Sequence, residues 1–452
     1  MNTTDQNNPT PQKISAIELK PPGGGGTIKG LGDAFKADAF SGTGSYAIPV
    51  PVTAGRGFEP ELQLTYNSGA GNGAYGLGFS LSLSKISINT SRHIPRYDAT
   101  DEYQLDGISL SISTTAPLRT EVVNDISYTV TNYISNPNIN FFLIEKWEDP
   151  ATRISFWKSI TTDNITRIYG NADLSRVANP DDQTQIFEWL VDNSYDAKGN
   201  KIVYTYLAEN NENVPSGIFE INRSYTAGRY IDTISYGNYW EKSVENYAFK
   251  VLFNYGQGAN NQWACRPDPF SYYNAGFEIR VFRLCEKIQM VHHFPDELGD
   301  PLTVKELCLE YENIQSYTPV QFQAPSLLKS IVLNGYQKNV TAPQTVPPLE
   351  FGFSSFQPPV APLFKELQMD LNTIPGYLSA AGFLPVDLNR EGLPGFLYST
   401  ANASFYMEPL GDGKYQPPMV NDPFPINKNI QQGDAVLTDI NGDGYLDLLV
   451  HT

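Results

Sequence analysis

The chain has 452 residues, 40% of them apolar, and a formal net charge of −18. That apolar fraction is enough for a core and argues against global disorder, and an acid excess without any Lys/Arg run argues against a nucleic-acid partner. The length suits two or three domains, and no stretch approaches ~18 consecutive apolar residues, so no direct membrane insertion is expected.

Residues 1–22 are rich in Asn, Thr, Gln and Pro and read as a disordered tail, followed by the hinge Gly23 to Gly26. Met1 to Gln12 lacks an apolar core, so no cleaved secretory signal is expected. Synthesis in the cytoplasm is then expected.

Beyond the hinge the signal is almost entirely that of strands. Tyr46, Ile48, Val50 and Val52 alternate, Gly55-Arg56-Gly57 turns, and Leu62, Leu64 and Tyr66 alternate back, a hairpin with one buried face. Pro49 and Pro51 lack N–H donors and predict a sheet edge. Leu77, Phe79, Leu81 and Leu83 alternate, and the phase then slips to Ile86 and Ile88, which predicts a β-bulge near Ser84–Lys85.

A second hairpin is legible further on. Phe187, Trp189 and Val191 alternate, Asp196-Ala-Lys-Gly199-Asn200 turns with Gly199 or Asn200 at positive φ, and Ile202, Tyr204 and Tyr206 return. Tyr-rich strands recur at 230–236 and 247–255, and their aromatics read as sheet packing. Pro-rich stretches at 343–348 and 358–362 suggest a domain boundary near 355–365.

The C-terminal stretch contains a repeat. Val386 to Tyr398 aligns with Thr438 to Val450 at an offset of 439 − 387 = 52 residues. A period of that order in a β context is the spacing of propeller blades, and two blades do not close a ring. The chain therefore reads as the front part of a longer protein.

The best metal candidate lies in the second repeat. Asp439, Asn441, Asp443 and Asp447 fall at loop positions 1, 3, 5 and 9, with the Tyr445 carbonyl at position 7 and Gly444 permitting the turn. This spacing converges oxygens on one point, as Ca2+ requires. No Glu stands at position 12, and the sister loop (Asp387, Asn389, Glu391) has Gly395 at position 9, so it lacks one carboxylate.

No other cofactor and no catalytic residue is expected. Gly71-Asn-Gly73-Ala-Tyr-Gly76 matches the dinucleotide fingerprint but opens a strand rather than a helix, so its glycines serve turns and close packing. Cys285 and His292, seven apart, read as structural neighbours on or beside one strand. The adjacent His292 and His293 face opposite sides of a strand and cannot share a metal. An odd count of three cysteines predicts reduced thiols rather than a disulfide framework.

Three stretches together carry a family resemblance. The first runs through Gly30-Leu-Gly-Asp-Ala-Phe35, Gly42-Thr-Gly-Ser45, Ile48-Pro-Val-Pro51, Leu64-Thr-Tyr-Asn-Ser-Gly-Ala-Gly71-Asn-Gly73 and Gly76-Leu-Gly-Phe79. The second is Arg266-Pro-Asp-Pro-Phe-Ser271 with Gly276-Phe-Glu-Ile-Arg280, Arg283-Leu-Cys285 and Met290-Val-His-His-Phe294. The third is the repeated Asp-rich loop. In this order they resemble the N-terminal part of the virulence-plasmid protein B (SpvB) family, in particular the B subunit (TcB) of insecticidal Tc toxin complexes.

The resemblance implies an all-β chain, with a large multi-stranded antiparallel SpvB-type domain at 23–360. The first blades of an incomplete β-propeller with FG-GAP/VCBS-like repeats occupy 361–452. It implies a non-enzymatic, structural and translocation role in a bacterial toxin complex, made in the bacterial cytoplasm and acting outside the cell after release by another route. The expected partners are a toxin C subunit, an RHS protein with a cytotoxic cargo, and a pore-forming A subunit. Two rivals stand beside it: an N-terminal delivery domain of a fused ADP-ribosyltransferase toxin, and a calcium-dependent adhesin or glycan-binding β protein.

Overall fold

Alternating apolar positions become paired antiparallel strands along almost the whole chain. The computed structural model describes residues 35–38, 41–116, 118–137, 141–256, 263–312, 324–340, 342–354, 383–399, 403–421, 435–440 and 445–450. The expected tail at 1–22 and the glycine hinge lie outside the described residues. Contacts divide the chain into two units, Met1–Phe353 and Ser354–Thr452. Among the described residues the only α-helix is the single turn Pro295–Leu298, so the fold is all-β, as expected.

The first predicted hairpin is present. Strands β1 (Gly44–Pro49) and β2 (Gln63–Asn67) pair antiparallel with Ile48 opposite Leu64, and both side chains are fully buried. The edge expected from the prolines needs refining. The two-residue strand Lys36–Ala37 pairs with Gly44 and Ser45, so among the described residues only the proline half of β1 is an edge. Strand β3 (Phe79–Leu81) completes this small sheet against β2.

The bulge expected near Ser84–Lys85 is corrected. Residues 82–84 leave the small sheet, and the chain re-enters pairing as β4 (Lys85–Ile88) in a second, much larger sheet. The phase slip marks a crossing between two layers. Leu81 faces one core, Ile86 and Ile88 the other.

Part of the large sheet closes on itself. After β4 come β5 (Tyr103–Leu105), β6 (Ile108–Ile112), β7 (Ile126–Asn136), β8 (Phe141–Glu148), β9 (Ser155–Thr161), β10 (Thr166–Tyr169) and β11 (Asp182–Tyr195). β4 pairs with β5, β5 with β6, β6 with β7, and so on to β10 with β11. β11 then pairs back to β4, with Glu188 opposite Ser87 and Trp189 opposite Ile86. Eight antiparallel strands thus form a closed barrel, which has no free edge along that ring. Its interior layer is Ile86, Leu105, Ile144, Trp157, Tyr169 and Trp189.

The long strand β11 is shared with the rest of the sheet. Its end pairs with β12 (Lys201–Ala208) across the predicted turn, where Asp196 accepts N–H bonds from Lys198 and Asn200, both 2.9 Å, and Gly199 takes φ 84°. The meander continues through β13 (Arg229–Glu241), β14 (Val244–Asn254), β15 (Lys287–His292), β16 (Leu302–Tyr311) and β17 (Leu328–Gly335). The small sheet packs on this part, with Ile48, Leu64 and Phe79 in one core with Ile234, Val251, Met290 and Leu307.

The second unit is described by itself. Strands β18 (Phe383–Val386), β19 (Gly395–Ser399), β20 (Ser404–Met407) and β21 (Met419–Val420) form a four-stranded antiparallel sheet. β22 (Ala435–Thr438) and β23 (Asp447–Val450) form a hairpin. Leu397 and Tyr406 of the sheet pack against Leu437 and Leu448 of the hairpin.

Candidate functional site: buried arginine centres and two Asp-rich loops

The two long motif stretches meet in space. The glycine run that mimics a nucleotide loop forms a miniature hairpin, Asn72–Gly73 against Gly76–Leu77. Gly76 takes φ 87°, and a Cβ there would stand 2.8 Å from the Ser326 carbonyl oxygen, so a glycine is required. Arg266 donates to the Gly73 carbonyl at 2.8 Å and to Asn72 Oδ1 at 2.9 Å. It also grips Asp268 bidentately at 2.9 and 3.0 Å.

Asp268 is satisfied on every side. Asn72 Nδ2 and the Ser326 N–H donate to it at 2.8 and 2.7 Å, and the Ser326 hydroxyl adds a third bond. Burial works against its charge, but the Arg266 and Ser326 hydrogen bonds prevail and hold its carboxyl below the usual carboxylate range.

A second centre is fully enclosed. Arg283 and Glu209 are both inaccessible and pair at 3.0 Å. Arg283 also donates to the carbonyls of Trp263, Ala264, Asn210 and Glu212, and lies 5.1 Å over the Trp263 ring. Glu209 accepts from the Phe282 N–H at 2.7 Å and from the Tyr230 hydroxyl. Burial raises the Glu209 carboxyl above its ordinary value, against the pull of Arg283.

A third centre joins Arg280 to Glu220 at 2.7 Å, Glu220 to Arg223 at 3.0 Å, and Arg223 to Glu278. Glu278 is further held by Ser271 at 2.6 Å. Fixed ion pairs this deep hold loops in place. The loop between β12 and β13, which carries Glu209 and Glu220, is pinned to the second motif stretch by Arg280 and Arg283. Sequence reasoning missed Glu209, Glu220 and Ser326. The partners of Arg283 and Arg280 stand 74 and 60 residues upstream, and no local spacing announces them.

The thiols are unpaired. Burial pushes Cys265 and Cys308 up to about 11 and raises Cys285 further, so none is poised as a thiolate. His292 Nε2 lies 2.8 Å from Thr53 Oγ1, while Cys285 Sγ contacts the Lys287 carbonyl at 3.6 Å. The residues do not form a thiol–imidazole pair.

The Asp-rich loops sit on equivalent hairpins. Val386 pairs with Gly395, and Thr438 pairs with Asp447. Both closing positions are displaced by 52 residues (438 − 386 and 447 − 395), the sequence offset of the repeat. In the first loop, Asp387 accepts N–H bonds from Glu391 and Gly392 at 3.1 and 2.8 Å. In the second, Asp447 accepts the Ile440 N–H at 3.0 Å. Arg390 of the first loop lies 4.6 Å over the Tyr445 ring of the second. Of the predicted cation donors, Asp439, Tyr445 and Asp447 are described, whereas Asn441 and Asp443 lie outside the described residues.

Comparison with known proteins places this architecture. A family model described as Salmonella virulence plasmid 65kDa B protein matches residues 38–294. The mono(ADP-ribosyl)transferase SpvB of Salmonella choleraesuis (strain SC-B67) is 33% identical over 259 residues, which cover 50% of this chain and 44% of that protein. Its counterpart in Salmonella dublin is 34% identical with the same coverage. The chain thus spans less than half the length of these curated relatives.

Among solved structures, a chain of the Photorhabdus luminescens Tc holotoxin pore superposes with a TM-score of 0.79 at 29% identity, over 98% of this chain and 21% of that one. The TcdB2-TccC3 crystal structure gives 0.76 at 30% identity, over 96% and 22%. The N-terminal domain of effector protein SpvB from Salmonella typhimurium strain LT2 gives 0.59 at 33% identity, over 64% of this chain and 98% of that domain. The matched stretch includes the closed barrel and the arginines and carboxylates of the three centres, though not Ser326, and it exceeds half of the sequence; the chain belongs to the SpvB family.

Proposed function

We propose that this chain is a non-enzymatic structural component of a bacterial toxin complex, helping to form the shell around a toxic cargo and its docking to a pore-forming subunit. One observation carries the reading. Likeness to the Tc holotoxin pore extends over 98% of the chain, both units included, whereas the SpvB N-terminal domain accounts for 64%. The physical design agrees with it: closed and widely paired sheets and buried ion pairs make a rigid wall that excludes water and needs no reactive group. The partners are then a C subunit of the RHS class carrying the cargo, and a pore-forming A subunit. The second unit, with its four-stranded sheet and repeated hairpin, forms opening blades of the propeller, and its complete Asp-rich loop takes Ca2+.

Co-expression with a TccC3-type subunit tests the proposal. The expected outcome is one co-eluting particle in which the cargo resists protease. Two separately eluting proteins would overturn it.

A second reading is favoured by the SpvB match itself: a delivery domain ahead of an ADP-ribosyltransferase. The shared region coincides with a domain solved separately at that protein's N-terminus. Reading the coding frame past Thr452 separates the two. RHS-type Tyr-Asp repeats support the shell, and a transferase domain supports delivery.

A further inference from the structure

The barrel is filled unevenly. Trp157, Tyr169 and Trp189 close its middle and are essentially inaccessible. Beyond this floor, one end opens into a cavity of about 910 Å3 lined by side chains of β4 to β9 and β11. Such a volume suits a small ligand, and an eight-stranded barrel is wide enough to hold one.

The register dictates what faces the lumen. Thr131 stands opposite Lys146, Tyr133 opposite Ile144, and Thr129 opposite Glu148. Opposed residues share a face, so these side chains line the same interior as Trp157, which is itself opposite Lys146. Lys146 Nζ lies 3.0 Å from Glu148, 3.2 Å from the Tyr103 hydroxyl and 5.2 Å over the Tyr103 ring. Thr129, Thr131 and Tyr133 border the cavity and bring three further hydroxyls to it.

The charges narrow the ligand class. Lys146 is matched by Glu148, and at the rim Arg92 is matched by Glu102 at 3.6 Å. Phosphates and polyanions find no surplus of positive charge in these pairs. The lining offers instead the edge-to-face rings of Tyr103 and Tyr133, neutral hydroxyls, and three cations (Arg92, Lys146, Arg153) offset by four carboxylates (Asp98, Asp101, Glu102, Glu148). That combination matches a ring with an apolar C–H face and a hydroxyl periphery.

We propose that the open end of the barrel binds a neutral saccharide of one or two rings, with Tyr103 and Tyr133 as platform and Thr131, Lys146 and Glu148 as hydroxyl partners. This site shares no residue with the Asp-rich loops or the arginine centres, and it does not depend on the toxin-complex reading.

Saturation-transfer NMR on the full chain tests it, using glucose, galactose, N-acetylglucosamine, maltose, lactose and trehalose, with glucose 6-phosphate as the anionic control. At least one neutral sugar is expected to bind with Kd near or below about 1 mM. Lys146→Met and Tyr133→Leu should abolish the transfer. Thr131→Val, which conserves shape, should weaken it several-fold with the melting temperature unchanged, and it decides the matter if the larger changes unfold the barrel. Silence from every neutral sugar at about 10 mM, ten times that Kd, would overturn the proposal. So would binding that Thr131→Val leaves unchanged, or a clear preference for the phosphate.

Discussion

The arginine centres of the first unit and the Asp-rich loops of the second use the same carboxylates under opposite conditions. Glu209 is wholly enclosed, so its charge demands a permanent cation, and Arg283 supplies it. Asp387 and Asp447 sit in open hairpin loops, where backbone N–H groups suffice. Burial decides the difference. A carboxylate without water keeps one fixed partner and holds the chain, while one in contact with water can exchange its partners.

The largest test breaks a buried pair. Arg283→Met leaves Glu209 unpaired in the interior and should cost about 3–5 kcal/mol, read as a fall in the urea midpoint. Adding Glu209→Gln should restore part of the loss. A cost no larger than that of a surface pair would erase the contrast between the two regions. Gly76→Ala places a methyl group against the Ser326 carbonyl at positive φ and should cost about 1–3 kcal/mol by the same measurement.

Acid sharpens the comparison. The folded-state carboxyl of Asp268 is depressed, so its contribution is fully present above the ordinary Asp value near ~3.9 and is lost as pH falls below it. Glu209 is raised and works in the other direction, because it takes up a proton more readily folded than unfolded. Asp268→Asn should therefore flatten the loss of stability between about pH 4 and pH 2. An unchanged slope would assign the acid limb to other groups.

The smallest effect belongs to the loops. If Asp439, Asn441, Asp443, Tyr445 and Asp447 hold calcium with Kd of about 0.1–1 mM, then 1 mM calcium adds about 0.4–1.4 kcal/mol. The melting temperature rises accordingly, and Asp443→Ala removes the rise. No calcium-dependent shift in the parent chain would leave the loops as plain hairpin connections.

Local periodicity made the strands legible. The hairpins of Ile48 with Leu64 and of β11 with β12 follow from alternation and turn residues alone. The barrel does not, because its closing pair joins residues 101 apart, Ser87 and Glu188, and no pattern in either strand names the other. The slip at Ser84–Lys85 was visible, but a bulge and a crossing between layers leave the same trace in sequence. The two hairpins that carry the loops were legible because the repeat preserves their closing register. The centres of Arg280 and Arg283 were not, since Glu220 and Glu209 come from a distant loop.

The barrel's closing pair also has a consequence in time. At ~5–20 residues per second, β4 leaves the ribosome about 5–20 s before the strand that will close on it. Through that interval β4 has a bare edge, and its neighbours β5 to β10 can only stack outward from it. Synthesis order thus makes the first half of the first unit a waiting intermediate, and whatever shields the exposed edge of β4 governs how much of the protein reaches its folded form.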